Sequence, residues 1–116
     1  MRVLVYGGRD FTNQKLGFKA LDQLHAEFGF TVVIDGVARG ADTIGYTWAQ
    51  LRNLPSERYP ANWSKYGKSA GPIRNKQMLD EGKPDIGVAF PGGTGTSNMT
   101  KQLLEAGVLV KFITPL

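Results

Sequence analysis

Short runs of hydrophobic residues alternate along this chain with longer segments in which hydrophobic residues recur every three or four positions. Near-continuous apolar runs are typical of strands that are buried on both faces of a parallel sheet. Three of these runs stop at glycine-containing turns, and a fourth closes the chain. They span Arg2–Tyr6, Thr31–Ile34, Asp85–Phe90 and Val108–Ile113, and a weaker run at Glu57–Tyr59 predicts a fifth strand at a sheet edge.

The segments between these runs have the periodicity of amphipathic helices. A helix is also expected to begin near Pro72, because proline suits the first helical turn, and to run to about Gly82. The three remaining apolar stripes comprise Leu16, Ala20, Leu21, Leu24 and Phe28; Ala41, Ile44, Trp48 and Leu51; and Met99, Leu103 and Ala106.

The alternation of strands and helices predicts an α/β fold. We expect a single domain over residues 1–116, with a mostly parallel five-stranded sheet and helices on both faces. Ligands of such open sheets bind beyond the carboxyl ends of the strands, near the topological switch point. The candidate loops are therefore Gly7–Phe11, Gly36–Asp42, Pro60–Pro72 and Pro91–Ser97.

Composition narrows the function classes. The chain has 116 residues, of which 41% are hydrophobic and 21% charged, as in ordinary globular domains. The absence of cysteine excludes disulfides and thiolate metal sites, and the single histidine, His25, argues against a catalytic triad or a multi-histidine metal site. No apolar run approaches the roughly 20 residues of a membrane span, and the first residues do not resemble a signal peptide. A cytoplasmic protein without membrane contact is expected.

The strongest local motif is PGGTGT, which follows a predicted strand and opens a predicted helix. Glycines let a backbone approach a ligand closely, and the free N–H groups of a helix N-terminus bind phosphate. The motif therefore predicts a phosphate-binding loop. Its residues are Pro91, Gly92, Gly93, Thr94, Gly95 and Thr96.

Two further loops carry candidate ligand residues. In GGRDF, Gly7 and Gly8 precede Arg9, which is expected to contact a phosphate or a base, while Asp10 suits either a ribose hydroxyl or a helix cap. GVARGAD supplies a second set of candidates: Arg39, Gly40 and Asp42. Asp42 lies in a first helical turn, where a carboxylate is favourable with or without a ligand.

The stretch from Ala61 to Met78 is basic and aromatic. Five basic residues and no acidic residue occur from Arg58 to Lys76 inclusive, and Trp63 lies among them. Such a patch can stack a base and neutralise phosphates, so Trp63, Arg74 and Asn75 are candidate ligand residues. The lysines are better explained as a solvated surface.

Together, GGRDF, GVARGAD, NWSKYGKSAGPIRNKQM and FPGGTGT resemble the YpsA-related branch of the SLOG superfamily, named after Smf/DprA and the Lonely Guy phosphoribohydrolases. The resemblance covers about residues 2 to 113 and implies a Rossmann-like domain that binds nucleotides or nucleotide-derived ligands. It also implies a homodimer or larger assembly. Whether a divalent cation accompanies the phosphate stays open, and no other cofactor is expected.

One departure from the family pattern bears on catalysis. Enzymatic members cleave the N-glycosidic bond of nucleoside monophosphates and carry a glutamate where this chain has Met99. A carboxylate near the ribose would stabilise the oxocarbenium-like transition state, which methionine cannot do. We therefore expect a binding module that senses or sequesters its ligand. The first alternative is an N-glycosidase with Asp10 or Asp42 as its acid and Arg74 assisting, and the second is single-stranded nucleic-acid binding.

Overall fold

Five parallel strands form the centre of the protein. The computed structural model describes residues 1–115, and in it the strand order is β3-β2-β1-β4-β5. The strands are β1 (Arg2–Tyr6), β2 (Val32–Asp35), β3 (Ser56–Arg58), β4 (Ile86–Ala89) and β5 (Leu109–Phe112). The predicted α/β fold with a five-stranded parallel sheet is confirmed. Leu116, the last residue of the predicted domain, lies outside the described residues.

Helices connect the strands. They are α1 (Gln14–Phe28), α2 (Ala41–Leu51), α3 (Trp63–Tyr66), α4 (Ala70–Gly82) and α5 (Thr94–Glu105), and a 3-10 turn covers Gly67–Ser69. The sequence analysis predicted a loop throughout Pro60–Pro72. That prediction is wrong where α3 and the 3-10 turn lie. The local cause is Asn62, whose side chain accepts a hydrogen bond from the Lys65 N–H at 3.1 Å and caps α3.

The core lies in two layers, one on each face of the sheet. Val3, Val5 and Val33 pack with residues of α1 and α2, such as Leu21 and Trp48. On the opposite face, Leu4, Tyr6 and Ile34 pack with Met78 of α4 and with Met99 and Leu103 of α5. Successive side chains of a strand point to opposite faces, which is why both layers are apolar and helices cover both, as predicted.

The strands β4 and β5 are one residue shorter at each end than the predicted runs, and two other strands are shifted by one residue. The runs Thr31–Ile34 and Glu57–Tyr59 became Val32–Asp35 and Ser56–Arg58. The cause is a cross-strand ion pair at the end of the ladder, where Asp35 is paired with Arg58 and its Oδ2 lies 3.1 Å from Nε of the arginine. Hydrophobicity alone does not extend a strand to such a polar residue.

The order of the strands fixes the switch point. β1 is hydrogen-bonded to β2 on one side and to β4 on the other. After β3, at one edge of the sheet, the chain crosses back to form β4 on the other side of β1. The loops that follow β1 and β4 therefore lie beside each other at the carboxyl edge of the sheet. This is the position at which open α/β sheets bind ligands. Within residues 1–115, no helix is long and apolar enough to cross a bilayer.

Candidate functional site

The loops after β1 and β4 touch at the carboxyl edge. The Gly8 N–H donates to Pro91 O at 2.8 Å. A Cβ at Gly8 would lie 2.7 Å from Pro91 O, and a Cβ at Gly92 would lie 2.6 Å from Gly8 N. Side chains do not fit at such distances, so both glycines are required for the contact between the loops.

Gly40 closes the junction from the side of α2. Its φ of 77° lies in the left-handed region, and a Cβ there would approach Gly8 O to 2.3 Å. A cavity opens beside this junction. Gly7 and Gly8 line it, whereas Gly40, Pro91 and Gly92 do not. For these last three predicted ligand residues, the structure shows a role in loop packing.

The N-terminus of α5 begins directly after this junction. Gly93 is the N-cap residue, and no side chain caps the helix. The first bond of the helix runs from Ser97 N–H to Gly93 O at 3.0 Å. The amides of Thr94, Gly95 and Thr96 precede that bond, and all three residues line the cavity. An uncapped N-terminus offers N–H donors and a partial positive charge to an anion.

Arg74 reaches the same edge from α4. Its side chain is half-buried, its Nη1 donates to Gly36 O, and its Nε donates to Oδ1 of Asn75 at 3.0 Å. Burial lowers the pKa of Arg74, and the nearby Asp42 counteracts this effect. Because guanidinium stays protonated in proteins, these contacts hold a fixed positive charge at the cavity wall.

Asn75 ties α4 to α5. It is buried, and its Nδ2 donates to Gly95 O at 3.3 Å and to Oδ1 of Asn98 at 3.1 Å. Asn75 also lines the cavity. It therefore fixes the first turn of α5 relative to Arg74.

Two buried carboxylates hold the loop after β2. Oδ2 of Asp42 accepts from the N–H groups of Gly36 at 2.9 Å and Ala38 at 3.4 Å, and Oδ1 of Asp35 accepts from Val37 N–H at 2.7 Å. Burial, and then the neighbouring Asp35, raise the pKa of Asp42 to about 6. Burial also raises the pKa of Asp35, with Arg58 acting in the opposite direction. Asp42 thus has a clear structural task, and it lies at the cavity wall as well.

An arginine and a tryptophan form the outer wall. The guanidinium carbon of Arg9 lies 5.2 Å from the ring centre of Trp63, a cation–π distance, and 48% of Trp63 is exposed. Lys68 lines the same cavity. The other lysines of the basic stretch are engaged elsewhere: Lys76 pairs with Asp80 at 2.7 Å and Lys65 stands over Tyr66.

These elements enclose a cavity of about 470 Å³. That volume falls within the range of small-molecule sites in proteins. Of the predicted ligand residues, ten line it: Gly7, Gly8, Arg9, Trp63, Arg74, Asn75, Gly93, Thr94, Gly95 and Thr96. Within residues 1–115, no group of three or more histidine, aspartate or glutamate side chains is arranged to hold a metal ion.

Asp10 and Arg39 lie outside this cavity. They form an ion pair at 3.6 Å, with 98% of the Asp10 side chain and 76% of the Arg39 side chain exposed. The position of Asp10 therefore gives no support to the acid role that the sequence suggested for it. Arg39 lines a neighbouring cavity instead.

Comparison with known sequences identifies the family. The model of the YAcAr family, described as the YspA, cpYpsA-related SLOG family, matches residues 1–66. The chain belongs to the YAcAr family. The Gene 61 protein of Mycobacterium phage D29 is 37% identical over 117 residues, which cover 94% of this chain and 93% of that protein. This second similarity extends across α4 and α5.

The YAcAr chain also resembles a solved structure. The X-ray structure of DNA processing protein A (DprA) from Streptococcus pneumoniae superposes with a TM-score of 0.79 at 17% sequence identity. The match covers 99% of this chain and 50% of that one, so the YAcAr chain spans about half the length of DprA. At this identity the similarity concerns the fold alone.

Met99 departs from the glutamate that the resemblance implies for enzymatic members. It is 1% exposed, and it packs in the core layer of α4 and α5 with Tyr6 and Met78 while contributing to the cavity floor. An apolar side chain there makes the floor of this YAcAr cavity a part of the hydrophobic core. Asp42 is the one acidic residue among those that line the cavity.

Eight wall residues were not predicted from the sequence as site residues: Tyr6, Ala38, Lys68, Gly71, Pro72, Met78, Asn98 and Met99. Met78 could have been found, because it lies four positions after Arg74 and residues at this spacing share a helix face. Asn98 lies one turn after Thr94 and could have been found in the same way. Tyr6 is the last residue of a buried strand and gave no polar or glycine signal.

Proposed function

We propose that this YAcAr-family protein binds a nucleotide or nucleotide-derived ligand in the cavity at the carboxyl edge of the sheet. The ligand's phosphate would be held by the first-turn amides of α5 and by Arg74. The protein would act as a sensor or sequestering module. One observation supports the proposal above all others: an uncapped helix N-terminus and three basic side chains border the same cavity.

The balance of charge favours an anionic ligand. Arg9, Lys68 and Arg74 line the cavity, and the opposing carboxylate of Asp42 is already bonded to two backbone amides. The positive charges come from three separate segments, so their convergence is a property of the fold. A phosphate is the common biological anion that uses both helix amides and arginine.

The outer wall suits a nucleobase. Trp63 leaves 48% of its surface exposed while it lines the cavity beside Arg9. Stacking on an aromatic ring stabilises a bound base by roughly 1–3 kcal/mol and accepts any base. Hydrogen-bond donors for a phosphate on one wall and an aromatic ring on another match the two ends of a nucleotide.

The test is to fill the helix N-terminus with a carboxylate. Gly93→Asp places an acceptor at the N-cap, and a Cβ there meets no atom within 4 Å, so the fold should tolerate it. Because aspartate is a better N-cap than glycine, we expect the free energy of unfolding to rise by about a few tenths of a kcal/mol. Binding of adenosine 5′-monophosphate, measured by calorimetry at low salt, should weaken at least about tenfold.

The matched control adds the same charge at another helix. Gln14→Asp puts a carboxylate in the first turn of α1, where the side chain of Asn13 already caps the helix. This variant should bind the nucleotide as the unchanged protein does. Equal binding by Gly93→Asp and the unchanged protein, or no binding of any mononucleotide by either, would contradict the proposal.

A second candidate function rests on Asp42. It combines a place at the cavity wall with a pKa raised to about 6, which suits a proton donor near neutral pH. The candidate is N-glycosidic cleavage of the bound nucleotide. Incubation with nucleoside monophosphates should then release free base, and Asp42→Asn should abolish that release while nucleotide binding persists. Absence of base release from the unchanged protein would leave the binding function alone.

A further inference from the structure

A second cavity adjoins the proposed nucleotide site. Its volume is about 360 Å³, and it shares Arg9, Ala38, Trp63 and Arg74 with the first cavity. It does not include the N-terminus of α5, and it opens instead along the loop after β2. The two cavities are thus chambers of one cleft, with the arginine and tryptophan wall between them. Each chamber by itself reaches the size of a small-molecule site.

The charged residues that line the second chamber are all arginines. Arg9 comes from the loop after β1, Arg39 from the loop after β2 and Arg74 from α4. Among the ion pairs of residues 1–115, none involves Arg9. Asp35 and Asp42 are near enough to Arg74 to affect its pKa, but both are buried and neither lines the chamber. The chamber therefore presents a concentration of positive charge without an opposing carboxylate in its wall.

The loop that carries Arg39 is held in a fixed and unusual conformation. Val37 has a φ of 62°, which a β-branched residue rarely adopts, and its N–H is bonded to Asp35. Two more amides of the loop are bonded to Asp42. Such conformations persist where the surroundings enforce them, often at ligand sites. The bonds keep the loop in the conformation that brings Arg39 to the chamber wall.

Asp10 holds Arg39 only weakly. Their atoms are 3.6 Å apart and both side chains are largely exposed to water, so the pair contributes little and a phosphate could replace the carboxylate. Asp10 itself lines neither chamber. It is placed to compete with an anion for Arg39.

We propose that the second chamber is a second anion subsite, and that the ligand is a nucleotide with two separated phosphate groups. One phosphate would bind at α5 and Arg74, the nucleoside would lie along Arg9 and Trp63, and the second phosphate would reach Arg39. This inference rests on the proposed function, since it assigns the first chamber to the first phosphate. It adds the class of ligand and the role of Arg39.

The experiment compares three probes by calorimetry: adenosine 5′-monophosphate, adenosine 3′,5′-bisphosphate and adenosine 5′-diphosphate. The 3′,5′-bisphosphate should bind about tenfold more tightly than the monophosphate. The diphosphate, which carries its phosphates at one end, should gain much less. Arg39→Ala should remove most of the advantage of the bisphosphate while leaving monophosphate binding within about twofold. Asp10→Asn should increase binding of the bisphosphate alone.

A matched variant separates a direct contact from a general loss of charge. Lys76→Ala removes one positive charge from the surface of α4, and Lys76 lines neither chamber. It should change no affinity by more than about twofold at moderate salt. Equal losses for all probes in Arg39→Ala and Lys76→Ala would overturn the second subsite.

The remaining outcomes separate this inference from the proposed function. Equal binding of monophosphate and bisphosphate by the unchanged protein would overturn the second subsite and leave the proposed function standing. An equal gain for the diphosphate would overturn the requirement for separated phosphates. Failure of every probe to bind would overturn both. Tighter binding of a single-stranded oligonucleotide than of the bisphosphate would overturn the small-ligand class in favour of nucleic acid.

Discussion

A methyl group added at Gly36 should displace the arginine that the proposed function depends on. The Cβ of an alanine there would lie 2.4 Å from Nη1 of Arg74, far inside contact distance. The obstructing atom is the end of a flexible side chain, so the guanidinium can move while the backbone stays in place. Gly36 has no left-handed φ that an alanine would strain. Gly36→Ala therefore perturbs the position of Arg74 without removing its charge.

The expected loss of affinity follows from the bond that a displaced Arg74 cannot make. A hydrogen bond to a charged group contributes about 1.5–3 kcal/mol, which corresponds to roughly 10- to 150-fold in the dissociation constant. The fold should change less. The bond from Arg74 to Gly36 O is exchanged for bonds to water, and replacing glycine by alanine at a compatible site gains about 0.4–1 kcal/mol through the unfolded state.

The assay is a double-mutant cycle on adenosine 5′-monophosphate binding. Gly36→Ala and Arg74→Met should each weaken binding by a similar factor, and the double variant should be no weaker than Arg74→Met alone. Lys76→Met, which removes a positive charge from the same helix outside the cavity, serves as control. Additive losses would refute the reasoning, because they would mean that the two residues act independently. Normal binding by Arg74→Met would refute the site itself.

Two further predictions concern stability. Because Asp42 is buried beside Asp35 and its pKa is raised from 3.8 to about 6, the native state binds more protons than the unfolded chain between these values, and stability falls as pH rises through them. Asp42→Asn lacks this fall, so its stability relative to the unchanged protein should rise by about 2 kcal/mol between pH 4 and pH 7 in urea unfolding; parallel pH profiles would contradict this. Gly87→Ala would put a Cβ 2.7 Å from Cδ1 of Leu103 and should destabilise the protein by about 1–3 kcal/mol in the same assay. Gly95→Ala is the control: no atom lies within 4 Å of the new Cβ, so this variant should not be destabilised. Equal stabilities of the two alanine variants would show that the core yields at Gly87.

The sheet and the long helices could be predicted because their signals are local. A buried parallel strand reads as an apolar run, as in Arg2–Tyr6, and an amphipathic helix has a repeat of 3.6 residues, as in the α2 stripe that includes Trp48. The short helix α3 has one turn, which is too short for a clear hydrophobic repeat. Its N-cap residue, Asn62, is the one local signal that indicates it. The predicted homodimer or larger assembly concerns further chains and stays a prediction.

The contacts that organise the cleft could not be read from the sequence. Arg74 meets Gly36 across a separation of 38 residues, and Asp35 meets Arg58 across 23. Nothing in the immediate neighbourhood of these residues specifies the partner, because the partner is set by strand order and by the placement of α4. The sequence placed Arg9 and Arg39 in the same candidate site. Which of the two chambers each one borders depends on loop conformation, including the left-handed Val37.

The carboxylates around the cleft bear most directly on whether a ligand is turned over. A glycosidase needs a carboxylate free to approach the ribose, but Oδ2 of Asp42 already accepts from two amides of the loop that carries Arg39. Moving that oxygen toward a bound ribose would break both of these bonds. Asp10 pairs with Arg39 on the outer surface, and Met99 closes the floor with apolar atoms. The groups that line this part of the site are mainly hydrogen-bond donors, and this favours the proposed retention of an anion over its cleavage.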